Sequence, residues 1–285
     1  MTNPIISVRN LNIHFKGALR TTHAVRGVNF DLGHEKLGIV GESGSGKSQT
    51  GRAIMRLSAN TAKVTADRMS FGDVDLLQAS EKQMCAIRGR DIAMILQDPK
   101  FSLNPLMKVG DQIAEAYLTH HKTSRAEARE RALAMLESVH IRDPKRVYGV
   151  LPHEVSGGMG QRIMIAMMLI PEPKVIIADE PTSALDVTVR RQVLNVLDEL
   201  VDRTGASLIF ISHDLNLVAD FCDRVLVMYA GRVLEDLPAK DLGKARHPYT
   251  RGLLDSLPRL DKPCNELPVL RRDPAWLTET LRGMS

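Results

Sequence analysis

One stretch restricts the fold of this chain more than any other. The apolar run Leu37–Val40 leads into Gly41-Glu42-Ser43-Gly44-Ser45-Gly46-Lys47-Ser48, and a helix-forming stretch, Lys47–Leu57, follows at once. The spacing is that of the P-loop, G-x-x-x-x-G-K-[ST]. Its glycines let the backbone wrap close to a β-phosphate, Lys47 neutralises β/γ oxygens, and Ser48 offers a hydroxyl to Mg²⁺. Such a loop needs a buried strand before it and a helix N-terminus after it. It therefore predicts an α/β core with a mainly parallel sheet.

The rest of the sequence agrees with that core. Strands are expected at Ile5–Val8, Val25–Asp31, Ile92–Leu96, Val175–Ala178, Ser207–Ile211 and Val225–Tyr229, mostly short Val- and Ile-rich runs suited to burial on both faces. Helices are expected at Gly110–His121, Ser124–Val139 with a serine N-cap, Gly158–Ile170, Val187–Asp202 and Leu215–Phe221. Strands are dense before residue 97 and after 174, and the sequence between them reads as helical. A helical subdomain, 98–170, is thus expected inside a core formed by 1–97 and 171–258. After His247-Pro248-Tyr249-Thr250 the chain gains proline and loses periodicity, so 259–285 reads as a separate appendage or a loosely held tail. The absence of an internal repeat predicts a single nucleotide cassette.

Composition excludes several classes. Of 285 residues, 44% are hydrophobic and 25% charged, as in an ordinary soluble globular protein. The net charge is +4 with no long basic block, which suits phosphate ligands or an anionic membrane surface. At 4% aromatic content, stacking platforms for single-stranded nucleic acid are not expected. Cys85, Cys222 and Cys264 are widely separated, which reads as reduced thiols without a metal or iron–sulfur site. The N-terminus carries no export-signal pattern, and the longest apolar run, Ile163–Ile170, is far below the roughly 20 residues of a membrane span. A soluble protein is expected, with any membrane role exerted through a partner.

A second anion-binding pattern lies far from the first. Val155-Ser156-Gly157-Gly158-Met159-Gly160-Gln161-Arg162 places a serine and two glycines at the start of a long apolar helix, where bare backbone N–H groups attract anions. A chain with one phosphate cradle already has little need of another, unless the second serves another molecule's nucleotide. The pattern therefore suggests a dimer with ATP sandwiched between subunits.

Six other positions complete the chemistry. Val175–Asp179 is an apolar strand ending in a carboxylate, with Glu180 next. Asp179 suits the Mg²⁺ hydration shell, and Glu180 can orient or deprotonate an attacking water. Gln97 follows the strand Ile92–Leu96 where the helical insert begins; it can reach metal and water, or be a solvated loop residue. His213 follows the strand Ser207–Ile211 and can contact a γ-phosphate, or be structural. In Ser183-Ala184-Leu185-Asp186, Asp186 is placed to cap the helix from Val187. Phe15 can stack on adenine, or belong to the core.

In this order, over residues 5–258, these stretches resemble the nucleotide-binding subunit of an ATP-binding cassette (ABC) transporter. Gly41–Ser48 resembles Walker A, Gln97 the Q-loop, Ser156-Gly157-Gly158 the signature, Val175–Asp179 Walker B, Glu180 the catalytic glutamate, Ser183–Asp186 the D-loop and His213 the switch histidine. The resemblance implies a P-loop NTPase (RecA-like) core with an antiparallel β portion. It also implies ATP and Mg²⁺ as ligands, Glu180, His213 and Gln97 as catalytic residues, and Ser48, Gln97 and Asp179 around the metal. The implied nucleotide set is Phe15, Gly41, Ser43, Gly44, Ser45, Gly46, Lys47, Ser48, Gln49, Ser156, Gly157, Gly158 and Asp186. GIVGESGSGKS, SGGM with Met159 where most cassettes have Gln, IIADEPTSALDVTV, and HPYT with LLDSLPRL resemble the oligopeptide/dipeptide/nickel importers. That branch implies a peripheral ATPase on the cytoplasmic face of the inner membrane. Its partners are a second ABC ATPase subunit (identical chain or paralogue), two transmembrane permeases and an extracytoplasmic solute-binding protein, and no nucleic acid. The alternative is a soluble ABC ATPase acting on nucleic acid or ribosomes. Two features depart from the branch: Gly160 stands where Arg is frequent, and Cys264 is alone where some relatives hold a metal cluster in the tail.

Overall fold

The computed structural model describes residues 3–17, 20–183, 185–257, 270 and 272–278. Expectations resting on Ala184 and Cys264 lie outside these residues. The chain divides into two compact units, 1–79 with 209–285, and 80–208.

The first unit opens with β1 (Ile6–Lys16) and β2 (Thr21–Leu32), paired antiparallel from Ile6 opposite Leu32 to Lys16 opposite Thr21. Val8, Leu11 and Ile13 of β1 and Val25, Val28, Phe30 and Leu32 of β2 are buried. β3 (Lys36–Val40) and α1 (Lys47–Ile54) follow. Next come β4 (Ala62–Thr65), β5 (Arg68–Phe71) and β6 (Val74–Asp75). With β1 and β2 they make a five-stranded antiparallel sheet in the order β2-β1-β5-β6, with β4 on β1. This is the antiparallel portion that the family resemblance implies. Its last three strands are too short and too polar to stand out in the sequence. α1 stops at Ile54, short of the expected Leu57, because Arg56 turns left-handed (φ 51°) and its guanidinium is held by Ala79 O.

In the second unit, α2 (Glu81–Ile87) starts at a Ser80/Gln83 capping box. β7 (Ile92–Ile95) runs parallel to β8 (Val175–Asp179), with Ile92 opposite Val175 and Ile95 opposite Ala178. Between them the described residues hold no strand. They hold α3 (Val109–His120), α4 (Arg125–Ser138) with the expected Ser124 cap, α5 (Pro144–Tyr148) and α6 (Gly157–Leu169). α7 (Val187–Thr204) closes the unit.

The unit boundary falls within β9 (Ser207–Ser212). All residues of β8 and of β9 are buried, as the Val- and Ile-rich runs predict for strands covered on both faces. The first unit resumes with α8 (Leu215–Phe221), β10 (Arg224–Tyr229), β11 (Arg232–Pro238) and α9 (Pro248–Asp255). β10 lies parallel to β3, Arg224 opposite Leu37 and Val227 opposite Val40, while β11 folds back antiparallel. The order is β11-β10-β3-β9. Arg224 clamps this corner: it donates to Asp236 Oδ2 (2.8 Å) and to Glu35 Oε1 (2.8 Å) and Oε2 (3.0 Å). Burial alone would raise the Glu35 carboxyl, but these bonds outweigh it and hold it below the ordinary range.

The stretch after His247 opens with helix α9, whose first turn is fixed by Pro248 and by His247 Nδ1 accepting the Tyr249 N–H (3.0 Å). Residues 272–278 group with the first unit, most of them exposed. Trp276 is buried, its ring edge-on to Tyr229 and Tyr249 (centroids 6.0 Å) and to His247 (5.6 Å). Arg232 Nε donates to Leu277 O (2.9 Å), tying the same segment to β11.

Candidate functional site

The P-loop is built where β3 hands the chain to α1. Gly41 adopts φ +152°, and a Cβ there would lie 2.1 Å from Met228 O of β10. Gly46 is left-handed (φ 102°), and its Cβ would lie 2.7 Å from Ala24 O of β2. Backbone blocks both positions, so no side chain fits and glycine is required. The β10–β11 turn supports the loop from behind: the Gly231 N–H donates to Ser45 O (3.0 Å) and Arg26 N–H to Gly231 O (2.7 Å). Sequence reading missed this support; a glycine two positions after the strand ending at Tyr229 is the signal that could have found it.

Lys47 is 4% exposed. Its Nζ donates to Gly41 O (2.8 Å) and Glu42 O (2.9 Å), which pins the amine across the mouth of the loop. Ser45 Oγ and Gln49 Oε1 are buried and make no hydrogen bond among the described residues. A buried hydroxyl of that kind is expected to have a partner, and a phosphate oxygen is one it can donate to. The loop therefore fits a polyphosphate, through Ser45, Lys47 and backbone drawn close by glycine. In the same unit, Phe15 is half-buried on β1, opposite Thr22 and Ala62. His213 is exposed just beyond β9, where Ser212 Oγ accepts the Asp214 N–H (3.0 Å) and Asp214 caps α8.

The second unit carries Gln97, Ser156–Gly158, Asp179, Glu180 and Asp186. Asp179 ends β8 and is buried; Glu180 is half-buried with a left-handed backbone (φ 48°). A non-glycine residue in that region carries a strain of about 1–3 kcal/mol, which is found where a side chain must be aimed. Ser183 holds the turn, its Oγ donating to Glu180 O (3.2 Å). Gln97 is exposed after β7.

Ser156 caps α6, its Oγ accepting the Met159 N–H (3.4 Å). The two signature glycines have different reasons. Among the described residues nothing lies within 4 Å of a Cβ built on Gly157, so the start of α6 is open there, whereas a Cβ on Gly158 would lie 2.4 Å from Val189 Cγ1 of α7. Asp186 caps α7, accepting from the Thr188 (3.1 Å) and Val189 (3.0 Å) N–H groups, as its sequence position predicts. Gly158 thus locks the start of α6 to the start of α7. Gly160 is buried, with Pro99 3.6 Å from its Cβ position, so this departure from the branch pattern packs against the turn after Gln97.

A paired substitution separates the two glycines. Gly158→Ala forces Val189 to move and is expected to cost about 1–3 kcal/mol of stability, as overpacking does. Gly157→Ala is expected to leave the melting temperature within about 2 °C of wild type, since ΔΔG stays near zero at an open site. Thermal unfolding of both variants checks this; equal melting temperatures would contradict the packing described.

A profile of the ABC transporter family matches residues 25–183. A probable peptide ABC transporter ATP-binding protein of Sinorhizobium fredii is 51% identical over 257 residues, covering 89% of this chain and 77% of that protein. The dipeptide transport ATP-binding protein DppD of Bacillus subtilis is 51% identical over 260 residues (90% and 78%). The oligopeptide transport ATP-binding protein OppD of Salmonella typhimurium is 43% identical over 283 residues (99% and 84%). Among solved structures, the dimeric post-hydrolysis state of an ATP-binding cassette bound to ADP and Pi matches with a TM-score of 0.74 at 26% identity, covering 82% of this chain and 99% of that one. The fold, the P-loop and these relatives agree: the chain belongs to the ABC transporter family, as an ATP-hydrolysing subunit.

Proposed function

We propose that this chain drives a peptide importer. It pairs with a second ATPase subunit, identical or paralogous, beneath two membrane-spanning permeases fed by an extracytoplasmic binding protein. The observation that carries the pairing is the open start of α6. Ser156 and Gly157 are exposed at the N-terminus of a 13-residue helix, whose N–H groups and dipole suit a γ-phosphate. The P-loop already supplies this chain's own cradle, so the second one serves the partner's nucleotide. The dimeric state of the solved neighbour supports the same reading. Peptide as the cargo class follows the transport roles of relatives that are 51% identical, a probable peptide and a dipeptide transport ATP-binding protein. Those functions also speak against action on nucleic acid or ribosomes. Among the described residues no helix is long and apolar enough to cross a membrane. In this reading the chain sits at the cytoplasmic face of the inner membrane, attached through the permeases, as the peptide-transport relatives suggest.

In the mechanism, the backbone of Gly41–Ser48 and Lys47 binds the β- and γ-phosphates, with Ser43, Gly44, Ser45 and Gln49 completing the cradle and Phe15 lying against adenine. Ser48, Gln97 and Asp179 offer the oxygen donors that a Mg²⁺ ion prefers. When bound, Mg²⁺ neutralises charge that develops on the β- and γ-oxygens. Glu180 accepts the proton of the attacking water, His213 contacts the γ-phosphate, and Gln97 helps to orient the water. Ser156, Gly157, Gly158 and Asp186 face the partner's nucleotide, so the site is complete only on closure. Hydrolysis then reopens the pair.

Purification of the chain from its native membrane tests this assignment. Two multispanning proteins are expected to accompany it, and the reconstituted complex is expected to hydrolyse ATP faster when peptide-loaded binding protein is added. Co-purification with ribosomes or DNA, or hydrolysis indifferent to peptide, would overturn it.

A further inference from the structure

Within the first unit, one P-loop residue whose side chain has no part in holding phosphate is engaged on every polar group. The Glu42 carbonyl accepts from Lys47 Nζ (2.9 Å) and from the Ser45 N–H (3.2 Å). Its N–H donates to Tyr249 Oη (3.3 Å). Its carboxylate accepts from Arg272 Nη2 (2.9 Å), a residue 230 positions away. Tyr249 is fully buried at the start of α9. Burial, above all, pushes its hydroxyl up to about 12, so it stays neutral at any working pH and keeps an acceptor lone pair for Glu42. Trp276 packs on Tyr249, and Leu277 O is tied to Arg232, so residues 272–278 are fastened at both the ring and the backbone.

We propose that Glu42 is a junction between the C-terminal segment and the bound nucleotide, with Arg272 and Tyr249 acting as positioning residues for the P-loop. The inference rests on this loop being the ATP site. A carboxylate in a loop that must receive several phosphate charges opposes binding unless it is neutralised. Arg272 neutralises it and also keeps it turned away from the Lys47 amine, which a free carboxylate would compete for. Tyr249 fixes the peptide plane whose carbonyl holds that amine. The junction makes phosphate affinity depend on whether residues 272–278 are docked.

Calorimetric titration of the full-length chain with Mg-ATP tests the proposal. Arg272 is 60% exposed, so the effect is modest: Arg272→Ala is expected to bind about fivefold more weakly than wild type, with an unchanged melting temperature. Arg272→Lys should recover most of that loss. The decisive variant is Arg272→Ala/Glu42→Gln, which should bind within about twofold of Glu42→Gln alone, because the charge to be neutralised is gone. Tyr249→Phe, which keeps the ring packing and removes the acceptor, is expected to weaken binding by a similar factor of about five. Wild-type affinity in Arg272→Ala, or a loss that Glu42→Gln does not relieve, would overturn the junction and leave the ATP site standing. Failure of the wild-type chain to bind Mg-ATP at all would overturn both.

Discussion

Glu180→Gln is expected to bind ATP with wild-type affinity and to lower steady-state hydrolysis by about 10²–10⁴-fold, the range lost when a positioned general base is removed. The reasoning is geometric and then chemical. Glu180 follows a strand that is buried throughout, and its left-handed backbone is held by Ser183, so the side chain is aimed by its surroundings. Glutamine has the same shape and keeps the hydrogen-bonding oxygen, which preserves the aim. It cannot take a proton from water. Measurement of ATP affinity by calorimetry and of phosphate release by the assembled complex separates the two effects. Wild-type turnover in the variant would remove Glu180 from the role of base.

The opposite pattern is expected of Lys47→Ala, which should lose ATP affinity by about 10²-fold or more and lose turnover with it. Charge-assisted hydrogen bonds contribute roughly 1.5–3 kcal/mol each, and an amine bridging β- and γ-oxygens makes two. Each 1.4 kcal/mol is a factor of ten in affinity, so a loss of about 3 kcal/mol corresponds to the hundredfold change. The amine is already held at the mouth of the loop by Gly41 O and Glu42 O, so the site is organised before the ligand arrives. Lys47→Arg is not expected to restore binding, because a planar fork cannot take the place of a compact ammonium in a position that is 4% exposed. Calorimetry on a variant shown to be folded by circular dichroism gives the answer. Affinity within threefold of wild type would show that the lysine does not bind phosphate.

What the sequence disclosed and what it hid follow from the range of the interactions. The P-loop, the acidic end of β8 and the Asp186 cap are written in consecutive residues, so their geometry was legible from residue types alone. The parallel core was legible because strands covered on both faces leave unbroken Val and Ile runs. β4, β5 and β6 were not, because strands of two to four residues with mixed polarity carry no measurable alternation. α9 was hidden by its proline, which opens the helix and does not interrupt it. The roles of Glu42, Tyr249 and Trp276 were invisible, since contacts between residues far apart in the chain, 207 positions for Glu42 and Tyr249, leave no local pattern. The strain at Glu180 is likewise a property of the backbone, with no signature in composition.

The lock between Gly158 and Val189 has a consequence for anyone who exchanges parts between related cassettes. A chimera that receives a foreign signature stretch but keeps its own α7 inherits a glycine gap cut for a different side chain. Residues 156–160 and 186–189 are in effect one cassette corner, to be transplanted together or not at all. Paralogous subunits that diverge at either stretch would therefore be expected to drift in step.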